Sequence, residues 1–220
     1  MRIFTPEIFS HSPTRQITVV PMRRIVLTGG PGSGKTVITS LLARQYPERF
    51  ICVPEAATQV YAELGTRWDR LDEAGRRDAQ RRIYRLQRLQ EEQLVDETSR
   101  GAGRVMLLDR GTVDGSAYWP DGFEAYWVDL GTSLSAELAR YDAVVWLETA
   151  ATLGLYDGSA SNTCRFEDAA AAVATGQRLL RAWEGHTRLV RVGAFVDLKE
   201  KVAAVIREVS TLMRGAQPTE

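Results

Sequence analysis

Residues 29–36 read Gly-Gly-Pro-Gly-Ser-Gly-Lys-Thr, and they closely follow the apolar run at 25–27. This is a complete Gly-x-x-x-x-Gly-Lys-Thr pattern in the order strand, loop, helix. Glycines let backbone N–H groups turn toward phosphate oxygens, and a helix beginning near Gly34 points its positive end at the same oxygens. The stretch therefore predicts a phosphate-binding loop within an α/β fold.

The residue types of this loop suit a nucleoside triphosphate. Lys35 supplies a mobile positive charge for the β- and γ-phosphates, and Thr36 supplies a hydroxyl for Mg²⁺. A chance glycine-rich turn is the alternative, but the eight-residue pattern in its setting disfavours it. We expect the following residues to contact the nucleotide: Gly29, Gly30, Pro31, Gly32, Ser33, Gly34, Lys35, Thr36 and Val37.

The composition is that of an ordinary globular protein with no net charge. Hydrophobic residues make up 44% of the 220 residues, and 28 basic residues balance 28 acidic ones. This balance gives no support to a nucleic acid or an anionic membrane as partner. No apolar run approaches the roughly 20 residues that span a bilayer. The two cysteines and two histidines form no disulfide framework or zinc pattern, so we expect a cytoplasmic protein.

Short apolar runs alternate with helical patterns along the chain. Runs bounded by turn signals suit strands buried on both faces of a parallel sheet, and the intervening lengths allow crossover helices. The predicted strands cover residues 24–28, 50–53, 104–108, 143–147 and 188–192. The predicted fold class is therefore α/β, a P-loop NTPase fold with a five-stranded parallel sheet flanked by helices and a small lid insertion.

Helical patterns and loop compositions divide the chain further. Helices are predicted over 34–46, from 55 onward, and over 72–99, 167–183 and 198–213. The buried stripe of the long helix is predicted to consist of Ile83, Leu86, Leu89 and Leu94. The arginines of this helix alternate with acids and are predicted to form a solvated face. We expect a flexible extension at 1–22, one domain at 23–214 with a lid at 149–168, and a disordered tail at 215–220.

Acidic residues follow several predicted strands. Ligands of an open parallel sheet bind beyond the carboxyl ends of its strands, so these residues share one edge with the phosphate loop. Asp109 ends a strand of Walker B type and is predicted to support Mg²⁺, with a helix cap as the alternative. Glu55 is the candidate general base, with a favourable helix-start charge as the alternative. Glu148 is interpreted as a strand end.

Two arginines are candidates for stabilising charge during phosphoryl transfer. Arg110 follows the third strand, where it could bind phosphate or pair with a neighbouring acid. Arg165 lies in a polar loop that could close over the γ-phosphate and exclude water. Trp183 is interpreted as core packing and His186 as a structural residue.

Several ordered motifs resemble a known family. They are residues 29–36, Val53-Pro54-Glu55-Ala56-Ala57, Leu108-Asp109-Arg110-Gly111, Arg165-Phe166-Glu167 and Ala182-Trp183-Glu184-Gly185-His186. Together they resemble the NadR-like AAA domain family, small P-loop proteins related to nicotinamide riboside kinase. A weaker likeness to deoxyribonucleoside kinases implies a base at Glu55 and an acid–arginine pair at Asp109 and Arg110. Those kinases usually have Glu-Arg-Ser at 109–111 and Pro at 56, so this likeness leaves the substrate open.

The leading hypothesis is a Mg²⁺-dependent kinase that moves the γ-phosphoryl group of ATP to a hydroxyl of a small, nucleoside-like metabolite. The aromatic segment 118–127 would then wall the acceptor pocket. GTP in place of ATP stays open. The alternative is a nucleotide-dependent ATPase or GTPase switch that acts on a protein partner.

Overall fold

The fold is built on one parallel sheet. The computed structural model describes residues 22–98, 104–156 and 167–214. In these ranges the strands are β1 (Arg23–Thr28), β2 (Phe50–Val53), β3 (Val105–Asp109), β4 (Ala143–Leu147) and β5 (Leu189–Val192). Their order is β2-β3-β1-β4-β5, and all pairs are parallel. The predicted fold class is confirmed, and each strand lies within one residue of its predicted bounds.

Burial explains why these runs became strands. Every residue of β3 and β4 is buried, because helices cover both faces of the sheet. One apolar core packs β1, β3 and β4 against the first and last helices, and it includes Leu27, Leu107 and Val205. The other core lies on the opposite face around Val26, Met106 and Trp183. Trp183 is fully buried, as its interpretation as core packing requires.

The helices surround the sheet much as the sequence predicts. They are α1 (Lys35–Gln45), α2 (Ala56–Glu63), α3 (Glu73–Thr98), α4 (Phe123–Leu130), α5 (Leu134–Leu138), α6 (Ala169–Trp183) and α7 (Leu198–Arg214). α1 ends just before Pro47, which disfavours helical backbone in the residue that precedes it. The segment 111–140 contains a 3₁₀ segment, Thr112–Tyr118, before α4 and α5.

The predicted buried stripe of α3 is wrong. Leu89 is 50% exposed, and Ile83, Leu86 and Leu94 are only partly buried. The buried face instead carries Gln80, Tyr84, Gln87 and Glu91. α3 packs mainly against α2 and the 3₁₀ segment, and its inner face meets polar groups there.

Several arginines of α3 pair with acids of this chain. Arg77 and Arg81 pair with Asp121 and Asp129 at 2.7 and 2.5 Å.

Within the described residues no helix is both long and apolar enough to cross a membrane. The tail 215–220, residues 1–21 of the predicted extension and 157–166 of the predicted lid lie outside the described residues.

Candidate active site

The phosphate loop has backbone conformations that favour glycine. Gly29 and Gly32 have φ values of 139° and 72°, a region that other residues rarely adopt. A Cβ atom on Gly29 would lie 2.2 Å from the carbonyl oxygen of Leu147. The segment after β4 also holds the loop, since Thr149 Oγ1 donates to the carbonyl oxygen of Pro31 at 2.5 Å. Backbone shape and neighbouring contacts thus fix the loop between β1 and α1.

Lys35 lies inside this loop, where it is 5% exposed. Its ammonium group donates to the carbonyl oxygens of Gly29 and Gly30 at 2.7 and 3.1 Å and to Ser33 Oγ at 3.1 Å. A positive charge is therefore held within the loop, where polyphosphate oxygens would be attracted.

Thr36 and Asp109 form a second pair beside the loop. Thr36 Oγ1 donates to Asp109 Oδ2 at 2.5 Å. Asp109 is 1% exposed, and its other oxygen, Oδ1, has no hydrogen-bond partner among the described residues. Burial, and then the negative charge of Glu55, raise the pKa of Asp109. A buried carboxylate with an open oxygen favours a cation nearby.

This donor set fits Mg²⁺ better than a metal enclosed by protein. In the ranges that the structure describes, no three His, Cys, Asp or Glu side chains form a cluster that could hold a metal ion. Mg²⁺ typically uses one or two protein ligands and completes its shell with water and phosphate oxygens. A hydroxyl at Thr36 and a carboxylate at Asp109 are ligands of that kind.

Glu55 and Arg110 meet across the sheet edge. Arg110 Nε donates to Glu55 Oε1, and Arg110 Nη1 donates to Asp114 Oδ1 at 3.2 Å. The guanidinium also lies 5.7 Å from the ring centre of Tyr118. Arg110 has a φ of 79°, and such strain in a non-glycine residue is concentrated at functional sites. The two residues predicted from separate strands are thus in direct contact.

The charge state of Glu55 follows from this contact. Burial alone would raise its pKa, but the charges of Arg110 and Lys35, with hydrogen bonds from Arg110 and Thr58, lower it to about 2. Glu55 is consequently a carboxylate at any physiological pH. Such a group can accept a hydrogen bond from a hydroxyl, although its low basicity makes it a weak proton acceptor until that hydroxyl becomes acidic.

A cleft connects the phosphate loop with α3. Its cavity volume is about 120 Å³, and it is partly open to solvent. Its lining includes Lys35, Thr36, Glu55 and Arg110 at the sheet edge, and Trp68, Ile83 and Tyr84 from α3 and the segment before it. The predicted aromatic wall at 118–127 is present in part: Tyr118 and Tyr126 line the cleft, whereas Trp119 and Trp127 pack in the core.

The wall of the cleft that α2 and α3 form is polar. Gln80 and Gln87 reach it from the buried face of α3, and Tyr61 reaches it from α2. Gln87 Nε2 donates to the carbonyl oxygen of Arg110 at 3.3 Å. The buried hydroxyl of Tyr61 makes no hydrogen bond of normal geometry with the described residues. These groups could recognise a polar molecule beside Glu55.

The remaining predicted residues have simpler surroundings. Val37 lies in the first turn of α1 and is 49% exposed. Glu148 follows β4, where its side chain accepts a hydrogen bond from the backbone N–H of Ala194 at 3.0 Å. His186 contacts the carbonyl oxygen of Tyr141 at 2.9 Å, in keeping with a structural role. Arg165 lies outside the described residues, so its role stays a prediction.

Sequence reasoning missed several residues of this site. Asp114, Tyr61, Gln80 and Gln87 line the cleft, but none belongs to a recognised motif. The only signal was the spacing of polar residues on α3, where 80, 84, 87 and 91 share one helical face.

Comparisons with known proteins agree with this fold. A NadR protein in complex with NR has a similar structure, with a TM-score of 0.62 and 15% identity over 91% of this chain and 53% of that one. A NadR protein in complex with NAD and AMP-PNP gives a TM-score of 0.59 at 15% identity, over 91% of this chain and 51% of that one. At this identity the likeness shows the fold, and the chain spans about half the length of these proteins.

Sequence comparison with family models identifies a family for this chain. A search of curated proteins gave no significant match. The family model described as "AAA domain" matches residues 24–201, from β1 into the first turn of α7. The resemblance stated from the motifs is thereby confirmed, and the chain belongs to the AAA domain family, with a P-loop fold like that of the NadR proteins.

Proposed function

We propose that this protein is a Mg²⁺-dependent kinase that transfers the γ-phosphoryl group of ATP to a hydroxyl of a small, nucleoside-like metabolite. One observation carries the proposal. A single cleft is lined by Lys35 and Thr36 of the phosphate loop, by Glu55 and Arg110, and by the polar wall of α3. A phosphoryl donor and a hydroxyl acceptor could therefore meet beside an acid and a cation.

The nucleotide end of the cleft binds and orients the triphosphate in this proposal. Backbone N–H groups of the loop surround the phosphates, and the Lys35 ammonium neutralises the β- and γ-oxygens. Thr36 and Asp109 would hold Mg²⁺, which supplies neutralisation of the charge on the bridging and transferring oxygens. The unpartnered Oδ1 of Asp109 supports this assignment.

The acceptor hydroxyl is oriented by Glu55. A bond forms between the hydroxyl oxygen and the γ-phosphorus while the bond from that phosphorus to ADP breaks, and the hydroxyl proton passes to the carboxylate. Because the transition state of such transfers is loose, the proton leaves late, when even a carboxylate with a pKa of about 2 can receive it. Arg110, and Arg165 if the predicted lid closes, stabilise the transferring group. Turnover of about 1–100 per second is typical of such chemistry.

The acceptor class is inferred from the cleft and from the related fold. Tyr61, Gln80 and Gln87 offer hydrogen bonds, and Tyr118 offers an aromatic face. The NadR structures contain NR in one case and NAD with AMP-PNP in the other. A molecule with a ring and a ribose-like hydroxyl suits this wall.

A screen for ADP or GDP release tests the proposal. Purified protein with Mg²⁺ and either ATP or GTP would be offered nucleosides, nicotinamide riboside and sugars. We expect one acceptor class to accelerate release and to appear as its monophosphate. Glu55→Gln should lower that rate by at least about 100-fold while nucleotide binding is kept. Glu63→Gln, on the exposed side of the same helix, is the matched control.

The alternative, a switch that acts on a protein partner, predicts a different result. No acceptor would then be phosphorylated, and slow hydrolysis would respond little to Glu55→Gln. That combination would contradict the kinase proposal.

A further inference from the structure

Asp114 is a buried carboxylate that four hydrogen-bond donors share, and it is 3% exposed. Its Oδ1 accepts hydrogen bonds from Thr28 Oγ1 at 2.6 Å and from Arg110 Nη1 at 3.2 Å. Its Oδ2 accepts from the backbone N–H of Gly111 at 3.0 Å and from Trp183 Nε1 at 3.1 Å. With the lone pairs of both oxygens engaged, the carboxylate has little capacity left for a substrate.

The donors to this carboxylate come from three parts of the fold. Thr28 is the last residue of β1, directly before the phosphate loop, and Arg110 follows β3. Trp183 is the last residue of α6, and α6 itself packs on the loop. A Cβ atom on Gly30 would lie 2.5 Å from the carbonyl oxygen of Ala172 in that helix. One side chain therefore joins the base of the phosphate loop, the turn after β3 and α6.

Arg110 is the partner that most needs such support. Its backbone is in the left-handed region, with φ at 79°, so the surrounding structure must hold it there. Its guanidinium lies between two carboxylates, Glu55 and Asp114. The turn that carries Asp114 packs closely on Tyr126, since a Cβ atom on Gly115 would lie 2.2 Å from its hydroxyl oxygen. Two acids on different nitrogens set the plane of the guanidinium, which one acid alone would leave free to rotate.

The geometry points to Asp114 as a positioning residue for phosphoryl transfer, an inference that rests on the proposed function. It fixes the Arg110 guanidinium and through it orients Glu55. It acts through Arg110 rather than on the substrate, since its own oxygens are engaged. It also makes the base of the phosphate loop and α6 parts of one hydrogen-bonded unit.

Asp114→Asn is the direct test, because it keeps the shape but turns one acceptor oxygen into a donor that faces other donors. ADP release from Mg·ATP, with water as acceptor, is the probe, so no metabolite need be known. We expect turnover to fall by about 100-fold, as when a group that stabilises the transition state is misplaced. The Kd for Mg·AMP-PNP should stay within about threefold of the wild-type value, because phosphate binding rests on the loop.

Two further variants separate positioning from general stability. Trp183→Phe removes one donor to Asp114 but leaves the Arg110 contact, so it should lower the Tm while keeping most of the turnover. In the Arg110→Met background, Asp114→Asn should cause no further loss, because it acts through that guanidinium. Near-normal turnover of Asp114→Asn, an equal loss in Trp183→Phe, or additive losses in the double variant would overturn the inference.

The design distinguishes this inference from the proposed function. If Arg110→Met and Glu55→Gln also keep wild-type turnover, the proposed function fails, and this inference fails as well because it rests on that function. If those two variants lose activity while Asp114→Asn does not, only the positioning role fails.

A measurement on the wild-type protein covers the case in which Asp114→Asn does not fold. The indole N–H resonance of Trp183, assigned by its loss in Trp183→Phe, reports on the shared carboxylate. We expect this resonance to shift when Mg·AMP-PNP saturates the protein, because phosphate charge near Arg110 redistributes the hydrogen bonds of Asp114. The resonance of Trp127, in the core, should stay in place. An unmoved Trp183 resonance would overturn the inference.

Discussion

Replacing Glu55 by Gln should destabilise the protein by a predictable and pH-dependent amount. Burial raises the pKa of Glu55, but the charges of Arg110 and Lys35 outweigh it and lower the pKa from 4.5 to about 2. At 1.36 kcal/mol per pKa unit, this corresponds to about 3 kcal/mol of stability at neutral pH. Little of it is lost to solvent screening, since the side chains of Arg110 and Glu55 are 14% and 19% exposed.

The sign of the pH dependence follows from the lowered pKa. A carboxylate that binds protons less readily in the folded state contributes its full stability above pH 4.5, its ordinary value. That contribution is lost as the pH falls toward about 2. Glutamine cannot titrate, so the gap between wild type and variant should be full at neutral pH and should shrink in acid. For a chain of this length the gap corresponds to a Tm lower by about 6–12 °C.

Urea unfolding at a series of pH values measures this gap. Asp69→Asn is the matched control, because it breaks an exposed pair with Arg67 whose side chains are each 29% exposed. That loss should be below about 1 kcal/mol. The reasoning is refuted if Glu55→Gln costs no more than the control, or if its cost is the same in acid as at neutral pH.

Three further predictions concern charges near the loop. Lys35→Met should weaken Mg·ATP binding by about 100-fold in calorimetry, because charge-assisted hydrogen bonds are each worth about 1.5–3 kcal/mol; unchanged affinity would contradict the site. Asp109→Asn should raise the Mg²⁺ concentration needed for half-maximal turnover by about 10- to 100-fold, and an unchanged requirement would exclude Asp109 from the metal site. Burial lowers the pKa of Lys201 from 10.5 to about 8, so the unfolding free energy of the wild type relative to Lys201→Met should rise between those pH values.

The sheet was predictable because each strand is specified locally. Strands buried on both faces need unbroken apolar runs, and 105–108 and 143–147 supply them without help from distant residues. The phosphate loop is specified equally locally, since Gly29 and Gly32 adopt conformations that few other residues allow. The joint location of Glu55 and Arg110 followed from one rule, that parallel strands end at a common edge.

The contacts of the site were not predictable, because they join residues far apart in the chain. Asp114 accepts hydrogen bonds from Thr28 and Trp183, which lie 86 and 69 positions away. Nothing local marks such partners, and the surrounding Gly-Thr-Val-Asp-Gly stretch indicates only a turn. The partner of Arg110 was left open between phosphate and an acid, and the structure gives two acids, Glu55 and Asp114.

The buried face of α3 departs from the apolar pattern of its sequence. Leucines predicted the wrong side, while Gln80, Tyr84, Gln87 and Glu91 are buried. Burying polar groups is costly unless each finds a partner, and here Gln87 Nε2 donates to Glu91 Oε1 at 3.1 Å while Tyr84 Oη donates to Glu137 Oε1 at 2.7 Å. An apolar face would cover the cleft wall at lower cost, so stability alone does not account for this choice. Polar residues at helical spacing beside a leucine stripe, in a chain with a phosphate loop, are therefore the signal that marks α3 as a wall of the cleft.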